Sequence, residues 1–147
     1  MSPDKQAADP HNLQRFVDAQ EASFTSALAE LKQGRKRGHW IWFVFPQLKG
    51  LGHSANSEFY GISGLAETAT YLKHPVLGPR LIECVQAVNS VERRSATEIF
   101  GEVDAMKFRS SLTLFAKAAS SEPVFTQALQ KYFNGEFDPV TMSVLTA

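Results

Sequence analysis

Apolar residues at positions 13, 16, 17, 24, 27, 28 and 31 recur at helical spacing, with Gln20 as a polar interruption. They predict one buried helix face that ends at Gly34. The polar pair Gln20-Glu21 before Ala22-Ser23 leaves open whether this stretch is one helix or two. Residues 40–45 are consecutively apolar, a length that fits a buried strand or a short buried helix. No second run alternates with a period of two, so a lone strand would have nothing to pair with, and a helix stopped by Pro46 is predicted. Gly50 and Gly52 make 47–53 a loop, and 54–60 has room for one or two helical turns before Gly61.

The second half reads as helix throughout. Ser63 is expected to cap a helix over 64–73 that buries Leu65, Ala69 and Leu72, and His74-Pro75 ends it. The next helix, 76–89, turns Leu77, Leu81, Cys84, Val85 and Val88 inward and tolerates Gly78-Pro79 in its first turn. Ser95-Ala96-Thr97-Glu98 has capping-box spacing and predicts a short helix closed by Gly101. Residues 102–119 are apolar on more than one side, through Val103, Met106, Phe108, Leu112, Leu114 and Phe115, which puts that helix in the middle of the protein. Pro123 opens a helix closed by Asn134-Gly135, and Asp138-Pro139 caps a last one to about 145. The expectation is an all-α fold, a compact single-domain bundle of about seven to nine helices over 13–147, behind a flexible N-terminal tail of residues 1–12.

Charge narrows the function classes. Fifteen basic residues balance fifteen acidic ones, so there is no global attraction to nucleic acid or to an anionic membrane. What basic character exists is local: no Asp or Glu occurs from Leu31 to Ser57, while Lys32, Arg35, Lys36, Arg37 and Lys49 fall inside that span. Nucleic-acid binding through this stretch is the least favoured reading. One cysteine, Cys84, allows no internal disulfide, and no run of residues suits a signal peptide or a membrane span. A cytoplasmic protein is expected.

Two groups of residues invite a chemical explanation. The aromatic run is framed by Lys36, Arg37, His39, Gln47, Lys49 and His53, with Trp42 among the rings. Aromatic faces beside cationic donors hold flat anionic ligands, the ring stacking and the cation pairing with phosphate. The plainer account makes the aromatics core and the cations a solvated helix end that complements the dipole near Gly34. On the central helix, Asp104, Lys107, Ser110 and Ser111 step by three and four along one side, which suits either a cleft or an Asp104–Lys107 surface pair beside back-bonded serines. His74 precedes Pro75, and Arg80 follows one turn into the next helix, where it can pair with Glu83 or reach the same site. No HxH, HxxxH, HExxH, GxxxxGK[ST] or GxSxG pattern is present, so neither a metal nor a cofactor is implied.

Several of these patterns recur as a set. Phe16-Val17-x-Ala19-Gln20, the run His39-Trp40-x-Trp42-Phe43-x-Phe45-Pro46-Gln47, Tyr60-Gly61-Ile62, Tyr71-Leu72-x-His74-Pro75-x-Leu77-Gly78-x-Arg80-Leu81, Ile99-Phe100-Gly101-x-x-Asp104-x-x-Lys107-x-x-Ser110-Ser111 and Gly135-x-x-Asp138 together resemble one family. It comprises small, mostly bacterial, single-domain helical proteins of unknown function that genome annotation often labels calpastatin. The likeness covers almost the whole chain, and HWxWFxFPQ is its most specific part. It implies an all-helical fold without cofactor and no established activity. His39, Gln47, His74, Arg80, Asp104, Lys107 and Ser111 are patterned positions that packing explains poorly, so a shared cleft is expected. The order of helix, HP-x-LG-x-RL and polar helix also has a distant likeness to helical proteins acting on ADP-ribose-type ligands.

The leading expectation is a protein that binds, with hydrolysis left open, a small anionic nucleotide-like ligand between the aromatic segment and the helix of 104–111. His39, Gln47, Arg80 and Lys107 should then converge. The alternative is a non-enzymatic protein–protein interaction module with an exposed apolar patch.

Overall fold

The computed structural model describes residues 9–146, which form ten α-helices. They are α1 (Gln14–Glu21), α2 (Phe24–Gln33), α3 (Ile41–Val44), α4 (Ala55–Phe59), α5 (Leu65–Lys73), α6 (Leu77–Asn89), α7 (Ala96–Phe100), α8 (Glu102–Ala118), α9 (Pro123–Phe133) and α10 (Pro139–Leu145). No strand forms among the described residues. A single parallel bridge joins Leu48 to Ile62. No helix among them is long and apolar enough to cross a membrane.

The count exceeds the expected seven to nine because the chain breaks at Ala22-Ser23, dividing the first predicted face between α1 and α2. Gln20 is not an interruption of that face. It is 2% exposed, donates from Nε2 to the Phe43 carbonyl at 2.8 Å and accepts from Arg80 at 3.4 Å, so a buried amide finds its partners inside. The end of α2 closes as read: Gly34 takes φ +76°, its N–H bonds to Leu31 and the Arg35 N–H reaches back to Glu30. The Ser95–Glu98 capping box and the Asp138 cap of α10 also form.

α8 is the central helix, packed against α3, α5, α7, α9 and α10, while α6 closes the far side against α2, α5 and α9. The aromatic run belongs mostly to the core. Phe45 is fully buried, with its ring 6.1, 6.0 and 4.8 Å from those of Trp40, Phe100 and Phe108. Emptying such a position costs about 3–5 kcal/mol. Where α5 crosses α6, a side chain at Gly78 would stand 2.2 Å from the Leu72 carbonyl oxygen, so only glycine permits the approach. Cys84 is buried on the inner side of α6, and burial, with the Glu83 charge adding to it, pushes its thiol up to about 12. It is inert packing.

Two faces differ from the pattern read. α5 buries Glu67, Thr68 and Tyr71 and leaves Leu65 42% exposed, because Glu67 is drawn inward by Arg15 at 2.8 Å. Ser63, read as the cap of α5, instead donates its N–H and hydroxyl to Glu67. The N-terminal half of α8 leaves Val103 69% and Met106 50% exposed, although Ala105, Phe108 and residues 110–116 of that helix are buried. Of the tail assigned to residues 1–12, residues 1–8 lie outside the described residues. Residues 9–12 form a turn in which the Asp9 carboxylate accepts from the N–H groups of Leu13 and Gln14.

Candidate functional site

The basic loop after α2 is shaped by one acid. Oε1 of Glu30 accepts from the N–H groups of Arg37 and Gly38 and from Nε1 of Trp40, at 2.7, 2.9 and 2.9 Å. Burial raises the Glu30 pKa, but the hydrogen bonds from Gly38, Arg37 and Trp40 and the Lys36 charge outweigh it and hold the carboxyl below its usual value. That fastening turns Trp40 into the core and leads the chain into α3.

Lys36 is the second fastening. Its side chain is 7% exposed, and its ammonium pairs with Asp104 Oδ2 at 2.7 Å, donates to the Gly38 carbonyl and lies 5.0 Å from the Trp40 ring. A buried ammonium so fully engaged has little left to offer a ligand. Lys107 differs. Its Nζ lies 3.8 Å from Asp104 Oδ1 and 4.9 Å over the Trp42 ring, and it makes no hydrogen bond among the described residues.

Lys107 stands on the wall of a groove of about 390 Å³ between the loop after α3, the first half of α8 and the start of α10. Leu51, Val103, Met106 and Val140 line it with apolar side chains; Gln47, Ser110 and Asp138 supply its polar points. The hydroxyl of Ser110 is returned to the Met106 carbonyl at 3.1 Å. Asp138, 5% exposed, holds the N–H and hydroxyl of Thr141 on Oδ2 at 2.9 and 2.6 Å. Gln47 and Gly52 also line a recess of about 10 Å³ together with Trp42, Asn56, Ser57 and Tyr60. The Trp42 indole nitrogen is buried and has no hydrogen-bond partner among the described residues.

Of the residues nominated from sequence, Lys36, Trp42, Gln47, Asp104 and Lys107 are therefore brought together. The other four lie apart from the groove. His39 is exposed on the loop shaped by Glu30. His74 spends its Nδ1 accepting from the N–H groups of Val76 and Leu77, capping α6. Arg80 turns to α1 and α2, bonding Gln20, lying 3.9 Å from Glu21 and stacking 4.8 Å over Phe24, and does not pair with Glu83. Ser111 is buried within α8. The expected convergence of His39 and Arg80 with Gln47 and Lys107 does not occur, because each of the first two follows its own element to another side. Among the described residues no three His, Cys, Asp or Glu side chains gather to hold a metal ion.

Sequence reasoning missed Asp138 as a lining residue because its capping role already accounted for it. It also missed Arg15, whose guanidinium bonds the carbonyls of His11, Asn12, Phe59 and Gly61 as well as Glu67. An arginine one residue before the buried Phe16 was the available signal.

A family model described as "Protein of unknown function (DUF1810)" matches residues 10–145. No curated protein matches the chain. Among solved structures, the crystal structure of the conserved hypothetical protein Rv1873 from Mycobacterium tuberculosis, at 1.38 Å, is similar over 95% of this chain and 99% of that one. The two are 51% identical, with a TM-score of 0.93, and share the all-helical fold. Neither description carries the calpastatin label.

Proposed function

The chain belongs to the DUF1810 family, proteins of unknown function, and from that premise we propose that the groove beside Lys107 binds a small anionic, nucleotide-like ligand. The observation that carries this reading is the state of Lys107: an ammonium on the groove wall that makes no hydrogen bond among the described residues, beside a second lysine held by Asp104 and the Gly38 carbonyl. Val103, Met106 and Val140 offer apolar surface to a ring, and Lys107 meets its negative charge. Binding, rather than hydrolysis, is what the lining supports. Its hydroxyl and its carboxylate, on Ser110 and Asp138, are engaged with Met106 and Thr141 instead of with each other. The single thiol, Cys84, fits a reducing, cytoplasmic compartment.

A thermal-shift series with adenosine and inosine 5′-monophosphates, ADP-ribose and ribose 5-phosphate tests the reading. A ligand at about one hundred times its dissociation constant adds roughly 2.7 kcal/mol of stability. The expected result is a raised midpoint in the natural protein and none in Met106→Glu, which puts a like charge in the groove. A second reading has one observation behind it: Val103, Met106 and Val140 are all half or more exposed, as they would be if the groove received an apolar side chain of a protein partner. A flat response to every nucleotide would favour that reading.

A further inference from the structure

Behind Gln47, the groove adjoins a space too small for a ring and large enough for one atom-sized group. Gln47 and Gly52 line both spaces, so the recess of about 10 Å³ lies directly beside the groove. Trp42 forms part of its wall, and the indole Nε1–H of Trp42 is buried without an acceptor among the described residues. The contrast with its neighbour is direct: the Trp40 indole N–H is satisfied by Glu30 at 2.9 Å. Buried donors are nearly always paired, and one left unpaired in the wall of a recess asks for an acceptor from outside the chain.

Resting on the reading of the groove given above, we infer that the recess receives an exocyclic carbonyl oxygen of the bound ligand, which accepts from Trp42 Nε1. The ligand class narrows accordingly. A base bearing a carbonyl at the inserted edge fits, as in hypoxanthine, guanine or uracil. A base bearing an amino group there is disfavoured, since it would set donor against donor. Lys107, over the face of the same indole, is placed to meet the charged end of such a ligand while the indole edge meets its carbonyl.

The test uses inosine and adenosine 5′-monophosphates, which differ only along the C6–N1 edge of the base. The chain has two tryptophans, so its ¹H–¹⁵N spectrum holds two indole signals, and that of Trp42 is identified by its loss in Trp42→Phe. The expected result is that both nucleotides move the amide signals of Val103 and Met106, that only inosine monophosphate moves the Trp42 indole signal, and that it binds at least about tenfold more tightly. If both move the groove amides while the Trp42 indole signal stays still, or moves equally with adenosine monophosphate, the recess inference is overturned and the groove reading stands. If neither nucleotide moves the groove amides at millimolar concentration, both fall.

Discussion

Lys36 and Lys107 approach different oxygens of one carboxylate, Asp104, at 2.7 and 3.8 Å, yet only the first is buried to 7% exposure and hydrogen-bonded. The same acid thus anchors one lysine and merely accompanies the other. That asymmetry separates the effects of replacing them.

Lys107→Met removes a long ion pair worth about 0.3–0.5 kcal/mol and a cation–π contact of about 0.5–1 kcal/mol, so chemical unfolding should report a loss of no more than about 1.5 kcal/mol. The response to inosine monophosphate should vanish in the same protein. A Lys107→Met variant that still shifts fully would move the anion anchor elsewhere.

Asp104→Ala strands the buried Lys36 ammonium and should cost about 3 kcal/mol. Adding Lys36→Met to it should recover part of that loss, because the charge that needed a partner is gone. Urea midpoints of the two single variants and the double variant check the sign; simple additivity would show that the pair is not coupled.

Glu30 sets the acid limb of stability. Its folded pKa lies below the ordinary 4.5, so its contribution is present above about pH 4.5 and is lost as pH falls through the lower folded value. Glu30→Gln should be less stable at neutral pH and fall less steeply below it. Fluorescence of the two tryptophans against pH would show whether the two curves converge in acid.

On the alkaline side, burial raises Cys84 from 9.0 to about 12 and moves Tyr71 in the same direction. Stability held by the neutral thiol is complete below about pH 9 and declines as pH rises toward the folded value. In Cys84→Ala the decline above pH 9 should be shallower, from a baseline lowered by the cavity. A thiol reagent should meet Cys84 in the native protein only as fast as the protein opens.

What could be read from the chain alone was what neighbours in sequence decide. Gly34, Ser95 and Asp138 act within a few residues of themselves, and each ends or starts a helix as expected. Gln20 and Leu65 were misjudged because their surroundings come from afar: Gln20 meets Tyr71 and Arg80, 51 and 60 positions on, and α5 is rolled by Arg15, 52 positions before Glu67. The site divides the same way. Gln47, Asp104 and Lys107 stood out as polar residues in apolar company and do meet near the groove, whereas the paths of His39 and Arg80 depend on Glu30 and on α2, which no local pattern announces. Val103 and Met106 counted as core by hydrophobicity alone, which says nothing about which end of a buried helix emerges.

The bridge between Leu48 and Ile62 has a consequence for how the groove can breathe. The Lys49 N–H bonds to the Ile62 carbonyl at 2.8 Å and the Ile62 N–H to the Gln47 carbonyl at 2.9 Å, so the groove wall is stitched to the segment that Arg15 grips at Gly61. The backbone of the wall therefore shares its opening with α1 and α5, and the two amides become a single clock: in deuterium they should exchange together, and at a rate that breaking Arg15's contacts quickens for both.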